Sequence, residues 1–305
     1  MNLAKLFSTI DTHVCGEPFR IVTQSPIQLD QADIKKNHDL LQQSFHEEKS
    51  FILNEPRGHR GMSGCIVTPS KLANYGLLFF NHDGAIFKYG GLVASLTALL
   101  ETGNLNKNES GFYSIETING IYELKTNYFK GEVSEVYIES NGAQFIEKRA
   151  DYDVAMIDDS RIYLIFSLPS SVPSISVDHV TPITKWGRLT TERLAKENVQ
   201  FDGVIITEKV ESTPNKIRSV TFEKDGSITR SANTDTTVAI LTTLRHSSID
   251  LNQLTNESIF GSSITAHYLP NTDNRFSVEL KGFITGIHEF VFDEVDPLKN
   301  GFILK

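Results

Sequence analysis

The sequence predicts an α/β (α+β) protein in which sheet wraps a central helix, and predicts that this arrangement occurs twice. Three observations carry the prediction. Leu92 to Leu100 is apolar on nearly every face, interrupted only by Ser95 and Thr97. A helix without a polar stripe is buried all round, and this one falls far short of the roughly 20 apolar residues that cross a bilayer. A second run of the same build, Val238 to Leu244, follows the small polar residues Ser231 to Thr237 and ends in Arg245 and His246. Between the two lie short alternating runs, FYSIET, IYELKT, VSEVYIES, AQFIEK and IYLIFSL, with turn signals at Asn119-Gly120, Lys130-Gly131 and Asn141-Gly142. That pattern reads as antiparallel sheet. Each central helix is entered through a polar loop. Unpaired N–H groups and the positive end of the helix dipole make both entrances seats for a carboxylate, and a duplicated architecture would face them onto one cleft.

In chain order, a strand-like start runs into DTHVCGEPFRIV, where Asp11, Thr12, His13, Gly16 and Pro18 mark a tight loop feeding a strand. Gln31 to Lys49 is polar with apolar residues at Ile34, Leu40, Leu41 and Phe45, a surface helix. FILNEPRGHRGMSGCIVTP reads as a strand from Phe51, a Gly-rich charged loop, and a second strand. His59 in that loop is either functional or simply part of a loop held by Arg and Glu contacts, and the second reading is preferred. Leu77 to Phe80 is a short buried strand leading into the turn before the first central helix. Pro182 to Asn198, with the lone Trp186, is a helix; Phe201 to Ile206 and Ile217 to Phe222 are strands. Ser258 to Tyr268, Phe276 to Leu280 and Gly282 to Phe292 resume the sheet, and DEVDPLKNGFILK closes with a turn and a last strand.

Bulk properties narrow the function. A chain of 305 residues can bury a large core. Its net charge of −9 and scattered Lys and Arg argue against nucleic acid or an anionic membrane as partner. The start, MNLAKLFSTIDTHV, has no apolar h-region and no cleavage site, so no export signal is expected. Cys15 and Cys65 are too few to staple the fold, which makes a reduced, cytoplasmic protein the default. There is no CxxC, no HExxH and no histidine pair at ligand spacing, so no metal site is expected.

Five blocks, DTHVCGEPFR, EPRGHRGM, the helix ending in SLTALLETG, FDGVIITE and DPLKNGF, together resemble the proline racemase family in order and spacing. That family includes hydroxyproline epimerases and trans-3-hydroxyproline dehydratases, and the resemblance covers nearly the whole chain. It implies two pseudo-symmetric domains of the diaminopimelate-epimerase-like type, each a curved, mostly antiparallel sheet around a central helix, with a small amino-acid-like ligand between them. On that basis the first domain takes residues 1–126 with the tail from about 291 to 305, and the second takes 127–290. The resemblance further implies no cofactor and a tendency to form homodimers. The family's chemistry is the removal of an α-proton on one face and its return on the other, which needs two ionisable groups facing each other. It uses two cysteines, one ahead of each central helix, where a thiol can lose its proton near neutral pH.

The sequence departs from that pattern at both places. The family's Met-Cys-Gly-His-Gly is here Phe87-Lys88-Tyr89-Gly90-Gly91, so Lys88 stands at the thiol position and Gly90 at the histidine position. The family's Asp-Arg-Ser-Pro-Cys-Gly-Thr-Gly-Thr is here Thr229-Arg230-Ser231-Ala232-Asn233-Thr234-Asp235-Thr236-Thr237, so Asn233 takes the second thiol's place and Thr229 the aspartate's. The candidate catalytic positions are therefore Lys88 and Asn233. The candidate ligand-binding residues are Tyr89, Gly90, Gly91, Thr229, Thr234, Asp235 and Thr236. An Asn amide cannot carry a proton back and forth, so two-base racemisation through these positions should fail. Two readings of Lys88 stay open. Desolvated at a positive helix end, its charged form would be disfavoured and it could serve as a base; or it stays charged and pairs with Asp235 across the cleft. A binding or regulatory protein, and a one-base isomerase or dehydratase, are the corresponding functions.

Overall fold

The computed structural model describes residues 3–29, 33–82, 84, 86–247, 251–272 and 274–303. The first two strands, β1 (Leu3–Val14) and β2 (Glu17–Gln24), form a hairpin whose two-residue turn is Cys15-Gly16. Both turn residues have positive φ, 51° and 90°, the combination that matches the twist of a hairpin. Asp11, Thr12 and His13, expected in the loop, belong instead to β1, where they face Arg20, Phe19 and Pro18 of β2. Their polarity reports partners rather than exposure: the Asp11 carboxylate accepts from Arg20 Nε at 2.8 Å and Nη2 at 2.6 Å.

Two helices follow, α1 (Ile34–Ser44) and α2 (His46–Leu53). Phe51, expected to open a strand, lies in the last turn of α2. Phe51, Ile52 and Leu53 are buried against Phe7, Leu41, Ile66, Leu78 and Phe292, and Arg57 Nε donates to the Phe51 carbonyl. An apolar triplet serves either a buried strand or a buried helix end, and here packing decides for the helix. The loop that follows is held by Arg57, which also donates to the Leu298 and Lys299 carbonyls and pairs with Asp296. Among the described residues, the His59 ring hydrogen-bonds only with the neighbouring Arg60 carbonyl. Strands β3 (Ser63–Thr68) and β4 (Tyr75–Phe80) lead to the central helix α3 (Tyr89–Glu101), after which come β5 (Phe112–Thr117), β6 (Gly120–Phe129) and β7 (Glu132–Glu139).

The second half repeats this plan. Its elements are β8 (Ala143–Lys148), β9 (Asp153–Ile157), β10 (Arg161–Ser167), α4 (Val180–Lys196), β11 (Gly203–Lys209), β12 (Lys216–Phe222), the central helix α5 (Thr234–Ser247), β13 (Gln253–Glu257), β14 (Ser263–Tyr268) and β15 (Phe276–Leu280). The last strand, β16 (Gly282–Asp293), returns to the first half and pairs with β1.

Chain contacts divide the protein into two units, residues 1–138 with 280–305 and residues 139–279. The boundary falls at Ile138 rather than near Asn127, because β6 and β7 form one hairpin that a break at 127 would cut. The first unit's strands run β16-β1-β2-β3-β4-β5-β6-β7 and the second's β8-β9-β10-β11-β12-β13-β14-β15. In both orders the third and fourth strands are parallel, as are the fifth and sixth; every other described neighbour within a unit is antiparallel. Parallel neighbours need a crossover. Helices α1 and α2 in the first unit and α4 in the second make one, and the central helices make the other.

Within each unit the sheet separates two cores. In the first, Val22, Ile66, Leu78 and Phe80 face α1 and α2, and α3 packs on the other face against β1, β2, β3 and β16. In the second, Val204, Ile206, Val220 and Phe222 face Ile183, Trp186 and Leu194 of α4, and α5 packs on β8, β9, β10, β13 and β14. Every residue of α3 from Tyr89 to Leu100 is buried, as is α5 from Thr234 to Thr243. Among the described residues no helix is long and apolar enough to cross a membrane. The two central helices reach the same state with different chemistry. Leu and Ala in α3 are strong helix formers. The β-branched residues of α5 are not, and burial carries its helicity instead, with Thr237 and Thr243 hydroxyls turned back onto the Asn233 and Ala239 carbonyls.

Candidate functional site

The entrance of α3 is set by aromatic packing. Phe87 stacks on Tyr122 at 5.0 Å between ring centroids and meets Phe79 and Tyr89 edge-on at 5.2 and 5.0 Å. With its two neighbours anchored in this cluster, Lys88 is the N-cap residue of α3 in extended conformation, and its side chain makes no capping hydrogen bond. Lys88 Nζ donates to Glu17 Oε1 at 2.6 Å, and both side chains are largely buried, 16% and 6% exposed. Glu17 opens β2, immediately after the hairpin turn. A cation at a helix N-terminus opposes the dipole, so the Glu17 carboxylate is what makes Lys88 tolerable there. The glycines Gly90 and Gly91 have a steric reason. A Cβ at Gly90 would lie 2.9 Å from Phe19 and 3.4 Å from Glu17 Oε2, and one at Gly91 would lie 2.5 Å from Phe79. The helix entrance therefore sits directly on β2 and β4.

The entrance of α5 is built the opposite way. Asn233 Oδ1 accepts from the Thr236 backbone N–H at 2.8 Å, and the Asn233 carbonyl accepts from the Thr237 N–H at 3.0 Å. This is the arrangement of an Asn N-cap. Asp235, the second residue of α5, is buried and accepts two bonds from Arg161, Nη1 at 2.6 Å and Nη2 at 2.9 Å. The Tyr163 hydroxyl donates to the same carboxylate at 3.3 Å, and Arg161 also pairs with Asp158. Burial alone would lower the Arg161 pKa, but Asp235, Tyr163 and Asp158 more than offset it and hold the guanidinium well above its ordinary value. Burial, then the Asp235 charge, push the Tyr163 hydroxyl well above the usual phenol range. Thr229 donates to the Thr221 carbonyl at 3.3 Å, and Thr236 shares a 2.6 Å hydrogen bond with Thr221. The buried Thr234 hydroxyl has no hydrogen-bond partner among the described residues.

These contacts locate the residues singled out in the sequence. Within its own unit the charged residue at each entrance has a near partner: Lys88 meets Glu17, and Asp235 meets Arg161. Lys88, Tyr89, Gly90 and Gly91 do share one helix entrance, and Asn233, Thr234, Asp235 and Thr236 share another. Neither cysteine acts at an entrance as a ready thiolate. Burial, helped by Glu17, pushes the Cys15 thiol up to about 11, and burial raises that of Cys65, which is completely enclosed, further still. Glu17 and Arg161 were missed by reading motifs alone. The available signal is a charged residue opening an otherwise apolar strand, EPFRIV and RIYLIF, where a lone charge at the start of a buried run needs a partner.

Comparisons with known proteins bear on the family and the fold. The family model described as proline racemase matches residues 9–303. The trans-3-hydroxy-L-proline dehydratase of Bacillus thuringiensis subsp. konkukian is 27% identical, with all of both chains covered. The proline racemase of Acetoanaerobium sticklandii is 26% identical over 99% of each. Among solved structures, a hydroxyproline epimerase from Agrobacterium vitis with bound trans-4-OH-L-proline superposes with a TM-score of 0.83 at 19% identity, covering 100% of this chain and 96% of that one. The duplicated sheets, the two central helices and a family match running from β1 to the C-terminal segment lead to one statement: this chain belongs to the proline racemase family.

Proposed function

We propose that this protein binds a small carboxylate of the amino- or imino-acid type at its helix entrances and does not interconvert epimers by the family's two-thiol chemistry. The observation that carries this reading is Asn233. It stands where the resemblance puts the second thiol, it is an amide without a titratable proton, and its oxygen is already engaged by the Thr236 N–H at 2.8 Å. The buried Thr234 hydroxyl, without a hydrogen-bond partner among the described residues, supplies a donor beside it for a ligand carboxylate.

A second reading rests on the Lys88–Glu17 pair, an amine and a carboxylate 2.6 Å apart at the entrance of α3. Such a pair can take an α-proton and pass a proton to a departing β-hydroxyl, the chemistry named for the dehydratase relative. One experiment separates the two. The purified protein is incubated in D2O with L-proline, D-proline, trans-4-hydroxy-L-proline and trans-3-hydroxy-L-proline, and α-deuterium is read by NMR alongside thermal stability. The binding reading expects a rise in melting temperature with at least one imino acid and no deuterium incorporation or loss of water from any. Exchange or dehydration that disappears in Lys88→Met overturns it in favour of the second reading. Interconversion of L- and D-proline overturns both.

A further inference from the structure

A cavity of about 340 Å³ lies in the first unit, with Gln42 from α1, His46 and Lys49 from α2, and Asn54, Asn81 and His82 among the residues lining it. Its volume is at the lower end of the range for small-molecule sites. Two of its donors stand out. Lys49 is only 9% exposed, yet its ammonium forms no ion pair or hydrogen bond with any described residue. The preceding residue shows what is missing: Glu48 is taken by Lys5 at 2.6 Å. The Gln42 amide nitrogen is also buried without a partner among the described residues. No carboxylate lines the cavity among the described residues.

A mostly covered lysine without a counter-charge among the described residues and a buried amide without an acceptor among them each cost stability. One ligand group, an oxyanion, relieves both, because it accepts a charge-assisted bond from the ammonium and a second bond from the amide. We infer that this cavity binds a small oxyanion, a carboxylate or phosphate carried by a compact polar metabolite, with Lys49 as its counter-charge and Gln42 as its second donor. Burial already lowers the pKa of the Lys49 amine, the response expected of a lysine whose partner comes from outside. One wall is fixed by the C-terminal segment: Asn54 Nδ2 donates to the Asn300 carbonyl, and Glu55 and Phe302 exchange backbone hydrogen bonds of 3.0 Å. On another wall, Asn81 and His82 sit in the segment that leads from β4 to Lys88. Occupancy of the cavity therefore bears on the stretch of chain that delivers Lys88 to the entrance of α3. The site is independent of which reaction, if any, takes place there.

The test uses the full chain with inorganic phosphate and with citrate as probes, at ionic strength matched by sodium chloride. Melting temperature and calorimetric titration are the readouts. Wild type should gain a few degrees with phosphate, citrate or both, and none with chloride; which anion acts identifies the class of metabolite. Lys49→Met should weaken binding about tenfold or more, the loss expected for one charged hydrogen bond. Gln42→Glu places a carboxylate in the lining of the same cavity as Lys49 and should raise the melting temperature without added anion while abolishing the response to it. No response of wild type to either probe, an undiminished response in folded Lys49→Met, or an undiminished response in Gln42→Glu would each overturn the inference. If Lys49→Met does not fold, Gln42→Glu decides.

Discussion

The entrances of α3 and α5 are the same place in two copies of one design, yet their charges are inverted. In each unit the first residue of the third strand reaches the start of the central helix. In the first unit that residue is Glu17, and it meets a lysine at the N-cap. In the second it is Arg161, and it meets an aspartate in the first turn. The helix dipole favours only the second arrangement. At α5 the acid sits where the dipole wants it, Asn233 caps the helix, and Arg161 neutralises the carboxylate. At α3 the dipole and the side chain disagree, the N-cap side chain makes no capping bond, and the Glu17 carboxylate sits against Lys88. The comparison teaches that a repeated backbone supplies positions and hydrogen-bond directions, while the residues placed there decide which charge stands at the helix entrance and which charge answers it.

Three substitutions would break or sharpen this contrast, in decreasing order of effect. Asp235→Asn removes the charge that holds Arg161 and leaves a buried guanidinium with Asp158. Chemical denaturation should show a loss of about 3 kcal/mol, the range for breaking one side of a buried ion pair; a loss below roughly 1 kcal/mol, the value of an exposed pair, would mean that the α5 entrance is not closed by this network. Glu17→Gln leaves Lys88 facing the dipole without its carboxylate, and the same measurement should register about 2 kcal/mol. If the mutant is instead as stable as wild type, Lys88 does not depend on Glu17 and the inverted symmetry loses its meaning. Asn233→Ala deletes the cap alone and should cost about 1 kcal/mol, with Asn233→Asp, another good cap, restoring most of it. Failure of Asp to rescue would show that Asn233 is kept for something other than capping.

Much of this architecture could be read from the residues. The all-apolar run of α3 announced a buried helix, and SITRSANTDTTVAILTTL announced its counterpart although its β-branched residues are poor helix formers. The alternating runs from Phe112 to Ser167 became strands where expected, apart from β9, whose DVAMI is too short and too uniformly apolar to alternate. Phe51 was misread because three apolar residues carry no period. Asp11 to His13 were misread because polarity in a strand can mean a buried partner as well as a loop.

At the site, local sequence determined which residues would open each central helix, since glycine, small polar residues and the following apolar run mark a helix start by chemistry that acts over a few positions. Within those stretches, Lys88 and Asn233 are singled out by the resemblance to the proline racemase family, whose two thiol positions they occupy. The charge partners lie far apart in the chain, 71 residues for Lys88 and Glu17 and 74 for Arg161 and Asp235, and no short-range rule chooses among the available acids and bases. Only the tertiary structure decided that Lys88 would meet Glu17 and that Asp235 would meet Arg161. The physical reason is that charge pairing acts through space, and the spatial order of strands, here set by crossovers around a buried helix, is a property of the whole folded unit.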